Sequence, residues 1–259
     1  MKWPFYNKGG RKIVPVQSVN VSQIPALTTE QMREVDRLMV EVHGIQLLQM
    51  MENAGRNLAE LARRLLGGSV VGKTILLAAG KGNNGGGGMV AARHLSNWGA
   101  EVKVVRPPGD LAEVAELQWT ILTKLPIEKR MGEGALRFLA TARGDMILDA
   151  LIGYGLAGKP RGFTAEVIQE INELACPVVS LDVPSGLDAT TGEIYGRCVQ
   201  ATATVTLALP KTGLLKAGVE KIAGTLFLAD IGVPDVVYRE LGIETGPIFL
   251  HDTLVKLEA

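Results

Sequence analysis

Gly80-Lys81-Gly82-Asn83-Asn84-Gly85-Gly86-Gly87-Gly88 is the stretch that decides the fold. The apolar run Thr74-Ile75-Leu76-Leu77-Ala78-Ala79 precedes it, and the amphipathic run Met89-Val90-Ala91-Ala92-Arg93-His94-Leu95 follows it. The order is strand, glycine loop, helix. Glycines let a ligand approach bare backbone, and the free N–H groups of a new helix attract anions, phosphate above all. Glycine runs also occur as flexible linkers. A linker sits in polar, serine-rich surroundings, whereas this run joins a buried-type strand to a helix. Asn83 and Asn84 add amide donors and acceptors for which a linker has no use.

Outward from the loop, strands and helices alternate. The spacing predicts strands over 74–79, 101–105, 146–151, 178–181, 203–209 and 225–229. Helices are expected over 88–98, 111–123, 134–142 and 163–174. Such alternation implies βαβ units and a mostly parallel sheet with helices on both faces, a three-layer α/β sandwich. A helical extension comes first. Thr28-Thr29-Glu30-Gln31 reads as a capped helix start. Gly44 interrupts, and a second helix runs from about Gln46 through Leu66 to Gly67-Gly68. Its methionines are expected as core filler. No linker divides residues 27–259, which are expected as one domain behind an N-terminal arm of residues 1–26. Trp3, Phe5 and Tyr6 in that arm either dock on the body or a second subunit, or belong to a free terminus.

Composition narrows the function. Lys+Arg and Asp+Glu are both 27, so there is no basic excess for nucleic acid, and no nucleic-acid partner is expected. Aromatic content of 5% leaves little for base-stacking platforms. No stretch has the apolar length of a membrane helix, and the N-terminus lacks a secretory h-region. Cys176 and Cys198 lack CxxC spacing and three histidines make no zinc cluster, so a reducing cytoplasm is the expected location.

In open α/β sheets, ligands bind outside the carboxyl ends of strands. Four loops qualify: the glycine run, Asp149-Ala150-Leu151-Ile152-Gly153-Tyr154-Gly155-Leu156-Ala157-Gly158-Lys159, Asp182-Val183-Pro184-Ser185-Gly186-Leu187-Asp188, and Pro210-Lys211-Thr212-Gly213. An Asp at one strand end is often only a turn former. Four such loops on one sheet edge supply amides, two carboxylates, a hydroxyl and an ammonium, enough to bind an anion, hold a hard cation and move protons.

Gly82-Asn83-Asn84-Gly85-Gly86, Asp149-Ala150-Leu151-Ile152-Gly153-Tyr154-Gly155 and Asp182-Val183-Pro184-Ser185-Gly186 resemble the three signatures of the YjeF N-terminal domain family, the NAD(P)H-hydrate epimerases. Met51-Glu52-Asn53-Ala54-Gly55-Arg56 resembles its early helix, and Ala208-Leu209-Pro210-Lys211-Thr212-Gly213 its later strand end. The similarity runs from about Leu27 to Val233. It implies a Rossmann-like fold and a repair isomerase that interconverts the R and S epimers at C6 of hydrated NADH and NADPH. It also implies a separate ATP- or ADP-dependent dehydratase that takes the S epimer, and a homodimer. Carried across, K+ would be held by Asn84, Asp149 and Ser185. The hydrate would contact Asn83, Asn84, Gly85, Gly86, Gly87, Gly153, Tyr154, Gly155, Leu156, Ala157, Gly158, Lys159 and Asp182. Loss of the C6 hydroxyl would leave an iminium-like cation to which water returns on either face. Asp182 is the candidate acid–base group, and Lys211 serves either phosphate or proton transfer. Asp182→Asn is expected to slow the reaction with the fold intact.

One position departs from the family pattern. Asn-Asn-Gly-Gly-Asp-Gly is usual, and here Gly87 takes the place of the Asp. Gly87 is tolerated, or lowers activity, or marks a non-catalytic nucleotide- or protein-binding scaffold of the same fold. The retained Asn84, Asp149, Asp182, Ser185 and Lys211 favour the enzyme. An ordinary dehydrogenase would want an acidic residue at the end of the next strand for the ribose. That strand ends Val104-Val105-Arg106, so Arg106 is left to meet a 2′-phosphate or to lie on the surface.

Overall fold

The computed structural model describes residues 16–258, so Trp3, Phe5 and Tyr6 lie outside the described residues. Thr28 caps the first helix, α1 (Thr29–Arg37), in a reciprocal capping box with Gln31. A π-helical turn over Leu38–Val42 and Gly44 at φ +69° redirect the chain into α2 (Leu47–Leu65). The alternating part follows as β2 (Thr74–Ala79), α3 (Asn83–Asn97), β3 (Glu101–Arg106), α4 (Glu113–Thr123), β4 (Glu128–Met131), α5 (Glu133–Thr141) and β5 (Met146–Ala150). It continues with α6 (Gly162–Glu173), β6 (Val178–Leu181), β7 (Ala203–Leu207), α7 (Glu220–Ala223), β8 (Thr225–Ala229), α8 (Asp235–Glu240) and β9 (Leu254–Glu258). The first strand, β1 (Gln17–Asn20), lies ahead of α1.

One nine-stranded sheet runs β1-β9-β8-β7-β6-β5-β2-β3-β4, and only β8 and β9 pair antiparallel. α2, α3 and α4 bury Leu58, Leu61, Met89, Leu95 and Leu122 against one face, where Ile75, Leu77 and Ala79 of β2 point. α5 and α6 bury Leu139, Val167 and Ile171 against the other, where Leu76 and Ala78 point. Alternate residues of one strand thus feed both layers, which is why β2 reads as a continuous apolar run.

Three strands escaped the sequence pattern. β4 is a charged edge, Glu128-Lys129-Arg130-Met131, of the kind that discourages further pairing. β9 closes the other side, and β1 joins it in parallel with Gln17 opposite Val255. The expected irregular arm is therefore corrected from Gln17 onward: tertiary pairing makes a strand of four residues with no apolar period.

The glycine run is also corrected. The helix begins at Asn83, not Gly88, with Gly82 as its cap, so only Gly80–Gly82 is loop. Glycine costs about 1 kcal/mol relative to Ala in a helix interior. Close packing explains its presence. A Cβ on Gly85 would meet the Gly80 carbonyl at 2.1 Å, one on Gly86 the Met51 sulfur at 2.6 Å, and one on Gly88 the Ala150 Cβ at 2.6 Å. Gly55 of α2 answers from across the helix pair, where a Cβ would lie 2.4 Å from the Gly87 carbonyl and 2.5 Å from Val90 Cβ. Gly55→Ala is expected to destabilise the protein by about 1–3 kcal/mol. An unchanged denaturation midpoint would show that α2 and α3 can move apart.

Candidate functional site

Strand order reverses between β2 and β5. From β2 the chain goes outward to β3 and β4, then returns to place β5 on the other side of β2. A crevice opens at the carboxyl ends of strands at such a switch point. The two loops there touch by backbone, since a Cβ on Gly80 would lie 1.9 Å from the Leu151 carbonyl. Beside them lies a cavity of about 400 Å³. Asn83, Asn84 and Gly87 line it from α3, Gly153, Tyr154 and Gly155 from the loop after β5, and Asp182 and Lys211 from the ends of β6 and β7.

Asp182 is 2% exposed and sits at φ +71°, a backbone region costly for any residue with a Cβ. Its N–H donates to the Val205 carbonyl at 2.8 Å, and its Oδ2 accepts from the Tyr154 N–H at 2.7 Å. Lys211 Nζ lies 2.6 Å from Asp182 Oδ1 and donates to the Leu207 carbonyl at 2.7 Å. Lys211 is 0% exposed, which excludes a solvated surface lysine. The segment before α1 fixes it: Leu27 N–H donates to the Pro210 carbonyl at 2.8 Å, and Thr212 N–H returns to the Leu27 carbonyl at 2.9 Å. Gly153 leaves room between the polar groups. A Cβ there would be 2.9 Å from Asp182 Oδ2 and 3.1 Å from Asn84 Cγ.

Asp149 and Ser185 lie behind the cavity wall. Asp149 is 0% exposed. Its Oδ1 accepts from Ser185 Oγ at 2.6 Å and Leu151 N–H at 3.2 Å, its Oδ2 from Ser180 Oγ at 2.8 Å and Ser185 N–H at 2.9 Å. Burial raises its pKa and these four neutral donors oppose the rise. Asn84 Nδ2 donates to the Leu181 carbonyl at 3.3 Å. A buried carboxyl whose hydrogen bonds all come from neutral donors, beside the Ser185 hydroxyl, supplies hard oxygen ligands of the kind that suit a hard cation.

The structure divides the expected substrate contacts. Asn83, Asn84, Gly87, Gly153, Tyr154, Gly155 and Asp182 face one cavity. Gly85 and Gly86 are buried packing positions, and Leu156, Ala157, Gly158 and Lys159 run on outward without lining it. The Lys159 stem covers Gly196, where a Cβ would lie 2.8 Å from its Cε. Arg106 faces inward. Its guanidinium stacks 4.5 Å above Trp119 and donates to the Pro107 and Gly109 carbonyls. Burial also pushes the Cys198 thiol up to about 12, so it is no nucleophile.

Sequence reasoning missed one wall. Met32, Arg33, Asp36, Leu47, Met50, Met51 and Ala54 of α1 and α2 line the cavity, and Met32, Leu47, Met50 and Ala54 pack the core as well. The apolar period predicted these helices but carried no sign of which turn would meet the sheet edge.

A family model described as YjeF-related protein N-terminus matches residues 47–213. The chain belongs to the YjeF-related N-terminal family. It is 44% identical over 245 residues to the NAD(P)H-hydrate epimerase of Dehalogenimonas lykanthroporepellens, covering 91% of this chain and 94% of that one. It is 40% identical over 218 residues to the bifunctional NAD(P)H-hydrate repair enzyme Nnr of Moorella thermoacetica, covering 80% of this chain but 40% of that protein. The crystal structure of yeast ynu0, YNL200c, superposes with a TM-score of 0.79 at 25% identity, covering 90% of this chain and all 100% of that one. Fold and family agree: this YjeF-related chain has the mostly parallel, Rossmann-like sheet that the loops implied.

Proposed function

We propose that the protein is an NAD(P)H-hydrate epimerase, an isomerase that interconverts the R and S forms of hydrated NADH and NADPH at C6. The observation that carries this reading is the Asp182–Lys211 pair, buried yet lining a cavity at the switch point of a Rossmann-like sheet. The 44% identity to a named epimerase over nearly the whole chain supports it. Asn83 and Asn84 line the cavity where α3 begins, with no acidic residue in its first turn. Their free N–H groups and the helix dipole favour the substrate's phosphates. Asp182 is the acid–base group at C6, and Lys211 orients its carboxylate. Asn84, Asp149 and Ser185 would hold K+, which would supply fixed positive charge behind the cavity wall and balance the buried carboxylate.

The relatives named as bifunctional repair enzymes support a functional partnership with an NAD(P)H-hydrate dehydratase. The exposed Val40, Val42 and Leu48 at the α1–α2 turn support a homodimer contact, checked by sedimentation. The two free cysteines suit a cytoplasmic location. Among the described residues no helix is long and apolar enough to cross a membrane.

Gly87 does not argue against activity. A Cβ there meets only Leu181 Cδ2, at 3.0 Å, so the position opens toward the cavity. Incubation with the R hydrate, wild type beside Gly87→Asp, is expected to yield the S epimer in both cases, and replacing K+ by Na+ is expected to slow both. No turnover by wild type with rescue in Gly87→Asp would replace the enzyme by a binding scaffold.

A further inference from the structure

A second carboxyl reaches the cavity, and the mechanism above leaves it unused. Asp36 sits on α1, outside the residues that the family model matches. Tyr154 Oη donates to Asp36 Oδ2 at 2.5 Å, while the Tyr154 backbone N–H donates to Asp182 Oδ2 at 2.7 Å. The two carboxyls are therefore held apart by one tyrosine, Asp182 at its amide and Asp36 at its hydroxyl. Both line the same cavity.

The geometry points to Asp36 as a second proton-transfer residue, serving the face of the nicotinamide ring that Asp182 does not reach. This inference rests on the epimerase reading. Epimerisation begins with the hydroxyl on one face of C6 and ends with it on the other. A single carboxyl cannot serve both faces of a ring held in place. Lys211 is not the second group, because Asp182 and the Leu207 carbonyl hold its ammonium. The environments of the two carboxyls also differ. Burial raises the Asp36 pKa and the Asp182 charge adds to the rise, while the Tyr154 hydrogen bond and Lys211 lower it. Pairs of acids in unlike environments are the usual way to divide acid and base roles.

The steps balance. Asp36 gives its proton to the C6 hydroxyl, the C6–O bond breaks with its electron pair on oxygen, and water leaves. The ring nitrogen's lone pair forms the N1=C6 double bond. On the other face a water gives a proton to the Asp182 carboxylate, its oxygen bonds C6, and the double-bond pair returns to nitrogen. One proton has moved from Asp36 to Asp182, and exchange with solvent restores both. The reverse direction exchanges the two roles. Tyr154 positions Asp36 throughout.

Asp36→Asn, Asp36→Glu and Tyr154→Phe test the proposal in the R-to-S assay. Asp36→Asn is expected to lower kcat by about 10²-fold or more with KM little changed. Asp36→Glu, which keeps the carboxyl, should recover part of the rate, and Tyr154→Phe should lose less than Asp36→Asn. If Asp36→Asn does not fold, Asp36→Glu carries the test through a lower kcat at unchanged KM. Wild-type kcat in Asp36→Asn, or a loss confined to KM, would overturn the role. Absence of turnover in the wild type is a different result, because it removes the epimerase reading itself.

Discussion

Asp182→Asn is expected to lower kcat for R-to-S conversion by about 10²–10⁴-fold, the usual range for removal of a positioned acid–base group. The substitution is nearly isosteric. An amide oxygen can still accept from the Tyr154 N–H that now bonds Oδ2 at 2.7 Å. The carboxylate's basicity is what disappears. The backbone at φ +71° tolerates the change, because Asn adopts left-handed conformations as readily as Asp does. Ligand binding should therefore survive, with the loss appearing in kcat rather than KM. An unaltered rate would remove Asp182 from the chemistry. The structure refines one part of the sequence expectation. Lys211 is buried against Asp182 Oδ1 at 2.6 Å, so the variant also leaves an ammonium without its counter-charge. Its melting temperature should fall, and the rate must be measured below it.

The second large effect is on stability. Lys211→Met removes the only cation within ion-pair distance of Asp182 among the described residues. Breaking a buried pair from one side costs about 3–5 kcal/mol, because the partner stays charged and desolvated. The double variant Asp182→Asn, Lys211→Met removes both charges together. It is expected to lose less stability than the two single variants summed, by about 0.5–3 kcal/mol. Chemical denaturation of the four proteins measures that coupling. Strict additivity would show that the 2.6 Å contact carries no net energy. Activity separates from stability here, since the double variant should stay inactive while losing less stability than the two single losses added together.

The candidate site was partly legible in the chain. Asp149, Asp182 and the glycine run each end an apolar stretch that has to be a strand, and parallel strands deliver such ends to one edge. Lys211 was legible as a residue but not as a partner. Whether a lysine after a strand faces solvent or a carboxylate depends on the neighbouring segment, and here Leu27 crosses from the N-terminal side to cover it. Asp36 was not legible at all. On α1 it falls among Arg33, Glu34 and Arg37, and nothing local separates a cavity carboxyl from a solvated one.

The amino-acid order alone determined the alternation of strands and helices, the polar loops at their carboxyl ends and the family, because those rest on local period and short-range spacing. Only the tertiary structure decided where the helix after β2 begins and why its glycines are there. A glycine's meaning depends on what a side chain would strike, and the Met51 and Ala150 atoms that face Gly86 and Gly88 come from distant parts of the chain. The same reason holds for the Asp182–Lys211 pair and for Asp36. Burial and charge pairing are properties of the folded surroundings, and those surroundings are assembled by contacts between residues far apart in sequence.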